Sequence, residues 1–304
     1  MPSTPSNPQD PYDALIVGGG PAGLSAALYL GRARKRVAVL DRGHPRHAVS
    51  QGVHNFLTRD GLPPAELRTV AWEQMAAYPS VDHRSASVKS LSRSDDRWEA
   101  RLGDGAKVTA RAALVATGVV DQHPEIPGFK ERWGHSIHHC PFCHGWEMRD
   151  RPLALLGSNE AVGHMAPLLR NWSSDVVVLT HGGALPEEIA ATLDALGIPV
   201  ATPRVERLSG PGSSLRTILL ADGTPLEREG LFVIADQRQC DLVTDLDLQL
   251  DEGGYVVVDG RGATDRPMLW AAGDLTTPAQ QVVDAAAQGA RAGATMVAAL
   301  TVGH

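Results

Sequence analysis

At 304 residues the chain exceeds the length at which a single core usually stops growing, so two domains are expected. Hydrophobic residues at 43% and charged residues at 21% match ordinary globular usage and exclude a disordered or fibrous protein. A formal charge of −7 argues against a broad phosphate-binding surface, and apolar runs such as "AALVATGVV" are about half the ~20 residues that span a bilayer, so neither nucleic acid nor a membrane is an expected partner.

Residues 1–11, "MPSTPSNPQDP", are proline-rich and polar and lack the basic start and apolar centre of a signal peptide, which reads as a disordered tail on a cytoplasmic protein. Three cysteines, two of them in one C-x-x-C and one remote, do not make a secreted disulfide framework.

The run "DALIV" predicts a buried strand, "GGGPAG" a turn, "LSAALYLGRAR" a helix and "RVAVLD" a second strand, together a β-turn-α-β unit. Gly18, Gly20 and Gly23 form G-x-G-x-x-G, and Asp41 ends the second strand. Gly18 permits the tight turn, Gly20 lets backbone approach a pyrophosphate, Gly23 lets helix and strand close up, and Asp41 can accept hydrogen bonds from a ribose. Next, "WEARLGDGAKVTARAALVATG" predicts two strands about an Asp-Gly turn, then a buried strand ending in Ala116-Thr117-Gly118.

Beyond the C-x-x-C, "PLALLGSNEAVGHMAPLLR" predicts a second strand-turn-helix of the same kind with a damaged fingerprint. Gly157 keeps the first position, but Asn159 and Val162 stand at the second and third, obstructing a pyrophosphate and pushing helix from strand. The following strand, "DVVVLTHGGALPEE", carries Glu187 and Glu188 and none of the arginines that a 2′-phosphate requires, so NADPH binding is in question. The final quarter predicts a hairpin, a strand ending at Gly273-Asp274, and a long Ala-rich helix that Asp274 can cap.

The stretch "HHCPFCHGWE" holds the chemistry. Cys140 and Cys143 can close a disulfide, a helix starting there would lower a thiol pKa, and His144 can take and return a proton. His138 and His139 are candidates for a second proton carrier, with hydrogen-bonded structural roles as the alternative. Trp133 and Trp146 read as packing around the site, and Cys240 as a passive thiol. A zinc half-site and a purely structural pair remain alternatives, although Cys240 is the only other cysteine to complete a closed metal site.

With "GGGPAG", "ATG" at 116–118, the C-x-x-C, "AAGD" and "QQVVDAAAQGA" in this order, the chain resembles the low-molecular-weight thioredoxin reductase family of flavoproteins from about residue 12 to 300. The resemblance implies an α/β fold of two doubly wound Rossmann-like domains, the second inserted into the first. A discontinuous FAD-binding domain would span 12–118 and 246–304, and an NADPH-like domain carrying the C-x-x-C would span 119–245. FAD would lie against Gly18, Gly20, Gly23, Asp41, Thr117, Gly118, Gly273, Asp274, Gln281 and Val282. Cys143 would face the flavin, Cys140 would form the mixed disulfide with substrate, and His144, with His139 as a second candidate, would serve as acid and base where the family usually carries aspartate. "CPFCHGWE" followed by the defective fingerprint is similar to the dithiol oxidases of gliotoxin and holomycin biosynthesis, and to pyridine-nucleotide-independent reductases fed by ferredoxin. The implied partners are a small-molecule dithiol or thioredoxin-like protein, with O₂ or ferredoxin as redox partner, in a homodimer. A conventional NADPH-dependent thioredoxin reductase and a non-catalytic flavin-binding redox sensor are the competing functions.

Overall fold

The computed structural model describes residues 11–302, which fall into two compact units. Within the described residues, the first is drawn from 11–48, 65–120 and 238–302, the second from 49–64 and 121–237. The expected tail over 1–11 lies, up to residue 10, outside the described residues.

The first unit is built on a sheet in the order 81–85, 37–41, 12–17, 107–115, 97–102, 88–94, with Leu269–Ala271 also paired to Lys107–Val115. Strands Tyr12–Val17 and Val37–Asp41 run parallel, as do Tyr12–Val17 and Lys107–Val115. The nine residues of Lys107–Val115 serve two purposes that their pattern already shows. The first half alternates buried with less buried residues and pairs antiparallel with Arg97–Leu102, while the second half is fully buried between parallel neighbours. Side-chain alternation then divides the core. Ala14, Ile16, Val37, Val39, Ala112 and Leu114 meet the helices, whereas Leu15, Val17, Ala38, Leu40, Ala113 and Val115 meet Leu91, Trp98 and Leu102 of the antiparallel pair.

Helix Pro21–Arg32 packs against helix Val282–Val302 at backbone distance. A Cβ on Gly289 would stand 1.9 Å from the Ala22 carbonyl oxygen, so only glycine permits this approach. The two segments are far apart in sequence, yet they share one layer.

The second unit contains an all-parallel sheet in the order 200–201, 176–179, 153–156, 230–233, 137–138. Leu153, Leu155, Val176, Val178 and Phe232 face helices Ala161–Leu169 and Glu187–Ala195. Ala154, Leu156, Val177, Leu179, Leu231 and Val233 face Ile126, Phe129 and the antiparallel strands of 205–227. Both units are thus α/β with parallel Rossmann-type sheets, helices on one face and antiparallel strands on the other.

Two expectations differ from the fold. Residues 49–64 pack with the central unit rather than with their sequence neighbours, because Gly52 and Val53 are buried there and Asn55 bonds the Phe142 carbonyl. The hairpin expected ahead of Gly273 is reduced to isolated bridges, Leu250 with Val256 and Ala263 with Trp270, since Leu269–Ala271 commits its backbone to the parallel sheet. No helix among the described residues is long and apolar enough to cross a membrane.

Candidate active site

In the first unit the fingerprint glycines each answer to a distinct neighbour. Gly18 has φ +111°, and a Cβ there would lie 2.3 Å from the Ala116 carbonyl oxygen; one on Gly23 would lie 1.9 Å from that of Gly18. Over Gly20 a Cβ would meet nothing within 4 Å. Gly20 is also the N-cap of helix Pro21–Arg32 and offers no side-chain cap, while Pro21 has no N–H to satisfy. The first turn therefore presents its remaining backbone donors to open space, the cradle a pyrophosphate requires. Asp41 ends its strand as expected, with Oδ2 ion-paired to Arg68 and lying 2.6 Å from where a Cβ on Gly19 would be. Gly19 and Arg68 are partners the G-x-G-x-x-G spacing does not reveal.

The remaining predicted cofactor residues of this unit gather nearby. Thr117 and Gly118 follow the strand whose end Gly18 touches, and Gly118 has φ +67°. Gly273 approaches Ala22 of the fingerprint helix, and its N–H donates to Gln288 at 2.8 Å. Asp274 begins a 3-10 turn, Asp274–Thr276, so it does not cap the long helix, which starts at Val282 just after Gln281. Its carboxylate is paired with Arg46 at 3.1 Å, and Arg46 also donates to Gln280 at 2.6 Å. These residues fit the ADP half of FAD.

The second fingerprint keeps the frame of the first and loses its opening. Gly157 N–H donates to the Leu179 carbonyl at 3.0 Å, as Gly18 does to Leu40 at 2.9 Å. Asn159, however, turns its Oδ1 onto the Ala161 N–H at 3.2 Å, and Val162 is fully buried among Leu155, Val178 and Phe232. Helix donors and the close-packing position are both already occupied. At the end of the next strand, His181 accepts from Val205 N–H at 2.9 Å, and burial followed by the Arg204 charge lowers its pKa. The segment "DVVVLTHGGALPEE" contains no arginine; Arg204 enters from outside it and lies against Gly182.

The C-x-x-C belongs to the second unit. Cys140 is the N-cap of the short helix Pro141–His144, and its sulfur accepts from the Cys143 N–H at 3.1 Å. Cys140 and Cys143 form a disulfide with Cα atoms 5.3 Å apart. A thiolate formed on Cys140 would inherit that backbone donor, which favours the charged form. Among the described residues no group of three or more His, Cys, Asp or Glu is arranged to hold a metal. Cys240 is a free thiol that begins helix Asp241–Asp245 in the first unit.

Around the disulfide lies a histidine cluster. Ile137–His138 is a strand, so successive side chains diverge: His138 turns inward, 3% exposed, while His139 stands against Trp133 with ring centroids 6.0 Å apart. It is His138, not His139, that stacks on His144, at 4.0 Å and 14°. His138 Nε2 donates to the His135 carbonyl at 3.0 Å, and burial, then His144, holds its pKa well below the ordinary histidine value. Burial, then the neighbouring His54, lowers that of His144 to about 4. His144 is therefore neutral near pH 7.

The loop 49–64 supplies partners that no local pattern announced. Ser50 Oγ lies 3.0 Å from His144 Nε2, His54 sits edge-on to the His144 ring at 6.1 Å, and Glu147 and Asp60 each lie 3.6 Å from His54 nitrogens. The polar run "SQGVHN" was the only available signal. Trp133 packs as expected, against Phe129 and His123, but Trp146 is 64% exposed and stacks under Arg149 at 4.1 Å. With Phe142, 58% exposed, it forms apolar surface beside the cysteines.

Comparison with known proteins agrees with this geometry. Residues 12–289 match the family of pyridine nucleotide-disulphide oxidoreductases. The thioredoxin reductase sirT of Leptosphaeria maculans is 31% identical over 305 residues, covering 93% of this chain and 92% of that protein. A relative from Arthroderma benhamiae is 34% identical over 184 residues, but the match spans only 46% of its length. The crystal structure of an oxidoreductase from Agrobacterium tumefaciens superposes with a TM-score of 0.90 at 32% identity, over 97% of this chain and 100% of that one. The chain therefore belongs to the pyridine nucleotide-disulphide oxidoreductases, as an FAD-binding enzyme of thioredoxin reductase-like type.

Proposed function

We propose that this protein exchanges the Cys140–Cys143 disulfide with a substrate dithiol and does not use NADPH as its principal electron donor. The observation that carries the reading is the pair of cysteines held at a helix start beside a neutral, half-buried histidine. A substrate thiolate attacks one sulfur, the other leaves, and the second substrate thiol resolves the mixed disulfide. The substrate leaves as a disulfide and the cysteines as a dithiol, so two electrons and two protons have moved.

Bound FAD would supply a two-electron acceptor for the enzyme dithiol, with O₂ as the final acceptor in an oxidase; a reductase would run the exchange in reverse, reducing a substrate disulfide with electrons from a donor such as ferredoxin. The Asn159 side chain on the helix donors and the buried Val162 support the restriction on NADPH, whereas Arg204 favours the competing reading of an NADPH-dependent thioredoxin reductase. The apolar surface of Phe142 and Trp146 suits an apolar small-molecule dithiol or a thioredoxin-like protein. In this reading the protein acts in the cytoplasm as a homodimer, with the first unit as FAD domain and the second as its nucleotide-like insert.

The test is anaerobic mixing of FAD-loaded protein with NADPH and, separately, with dithiothreitol, following flavin absorbance. Bleaching by dithiothreitol with slow or absent bleaching by NADPH is expected; fast bleaching by micromolar NADPH would establish the conventional reductase. Cys140→Ser and Cys143→Ser should each abolish turnover. Cys140 is the more buried of the pair at 8% exposure, so its assignment as the substrate-facing sulfur is tested by trapping: Cys143→Ser, given the substrate in its disulfide form, should retain it on Cys140 as a mixed disulfide.

A further inference from the structure

We infer that Ser50 is a positioning residue that fixes the tautomer of His144, leaving Nδ1 with the lone pair that serves as base. The inference rests on the reading of His144 as proton carrier, and concerns which nitrogen acts and what selects it.

Ser50 Oγ has one proton and two close partners, the Gly52 carbonyl at 2.7 Å and His144 Nε2 at 3.0 Å. A carbonyl oxygen only accepts, so the hydroxyl proton lies towards Gly52. The serine oxygen then faces His144 as an acceptor, and Nε2 must carry hydrogen. The other ring nitrogen supports the same assignment. His144 Nδ1 is buried with no hydrogen-bond partner. A hydrogen on Nδ1 would be a buried donor with nothing to receive it, while the Nε2 hydrogen has Ser50. His138 cannot reverse this choice. Its Nε2 is tied to the His135 carbonyl, and it meets His144 face to face rather than through a ring nitrogen.

The other ring set against it is His54, edge-on, with Glu147 and Asp60 behind it, and His144 itself ends the short helix that Cys140 caps and that contains Cys143. The proton path is then balanced. A substrate thiol gives its proton to Nδ1 and attacks the disulfide as thiolate; the sulfur displaced from the Cys140–Cys143 bond takes the proton back. The second substrate thiol repeats the transfer. Throughout, Nε2–H remains on Ser50, so the ring charges and discharges without turning over.

The test combines ¹⁵N NMR of the histidine rings with the pH dependence of disulfide reduction by dithiothreitol, in the FAD-loaded wild type and in Ser50→Ala, Ser50→Thr and His144→Gln. In the wild type, His144 should show a protonated Nε2 and an unprotonated Nδ1. Ser50→Ala should mix the tautomers and slow reduction about tenfold, less than the 10²–10⁴-fold range for removing a general base, and Ser50→Thr should restore both signals and rate. A wild-type Nδ1–H signal, or an Ser50→Ala protein with unchanged tautomer and pH profile, would overturn the inference. Should His144→Gln reduce its disulfide at the wild-type rate, the underlying reading of His144 fails instead. A slowed His144→Gln beside an unaffected Ser50→Ala defeats the role of Ser50 alone.

Discussion

A base whose pKa is about 4 is a poor acceptor for the proton of a thiol near 8.5, and the cluster at His144 has to resolve that mismatch. The depression arises from burial and from His54, in a state where both cysteines are bonded to each other and carry no charge. Opening the disulfide frees a thiol on Cys143, the residue before His144 on the same short helix, and a thiolate within reach of the ring would raise its pKa. The expected outcome is a His144 that titrates near 4 in the oxidised protein and distinctly higher in the reduced protein, checked by NMR titration of both forms. An identical value in the two states would separate the ring from the thiolate. The participants differed in how far sequence revealed them. Cys140, Cys143 and His144 fall within five residues and could be read directly, whereas Ser50 and His54 act across some ninety residues of chain, and a serine or histidine in a polar loop has no periodicity to mark it. That His138 rather than His139 stacks on His144 depends on where the short strand Ile137–His138 ends and on its register against Leu231–Phe232, which no local pattern states.

At the level of elements, the two strand-turn-helix units form a natural comparison. Both make the same strand-to-turn hydrogen bond, so the first glycine was legible as a fold signal in each. They part at the following positions, where open space over Gly20 contrasts with Asn159 bonded to the Ala161 N–H. The roles of Gly20 and Gly23 should separate experimentally. Gly20→Ala adds a methyl that touches no protein atom, so apoprotein stability should change by less than about 0.5 kcal/mol while FAD retention on purification falls. Gly23→Ala drives a methyl into the Gly18 carbonyl and should cost the apoprotein about 1–3 kcal/mol as well as its flavin. Denaturant melts of apoprotein, with flavin content by absorbance, check both. The hairpin expected before Gly273 shows the limit of pattern reading: alternation identifies a strand but not the neighbour that will claim its backbone.

Among the described residues, burial lowers the pKa of five histidines, His47, His83, His138, His144 and His181, and the largest effects fall on His47, His138 and His144. His144 and His47 are lowered to about 4, His47 by burial followed by the charges of Arg68 and Arg46, and His138 is held well below the ordinary value near 6.5, by burial first. Unfolding releases each to that ordinary value, so between pH 6.5 and 4 the unfolded chain binds more protons than the folded one. Stability is fully present above pH 6.5 and declines as pH falls toward 4, with a limiting slope of about 1.4 kcal/mol per pH unit for each histidine. Thermal melts at pH 7.5, 6 and 5 should show a falling Tm, and His47→Asn should flatten part of the decline. A Tm independent of pH over this range would contradict the burial of these rings. The α/β class was legible because buried strands and fingerprint turns are local; that residues 49–64 join the central unit was not, because it depends on contacts with Phe142, His144 and Glu147.

The contact between Pro21–Arg32 and Val282–Val302 also bears on how the protein is made. A ribosome releases the fingerprint helix long before it has synthesised the helix that covers Ala22 and Ala26. Until then the first unit has one face of its sheet incompletely closed, while every strand and helix of the central unit is already outside the exit tunnel. The central unit can thus acquire its structure during synthesis, and the nucleotide cradle only afterwards. Premature termination between residues 237 and 282 would yield a nascent chain with a finished insert and an exposed apolar helix, the kind of surface that recruits chaperones and proteases.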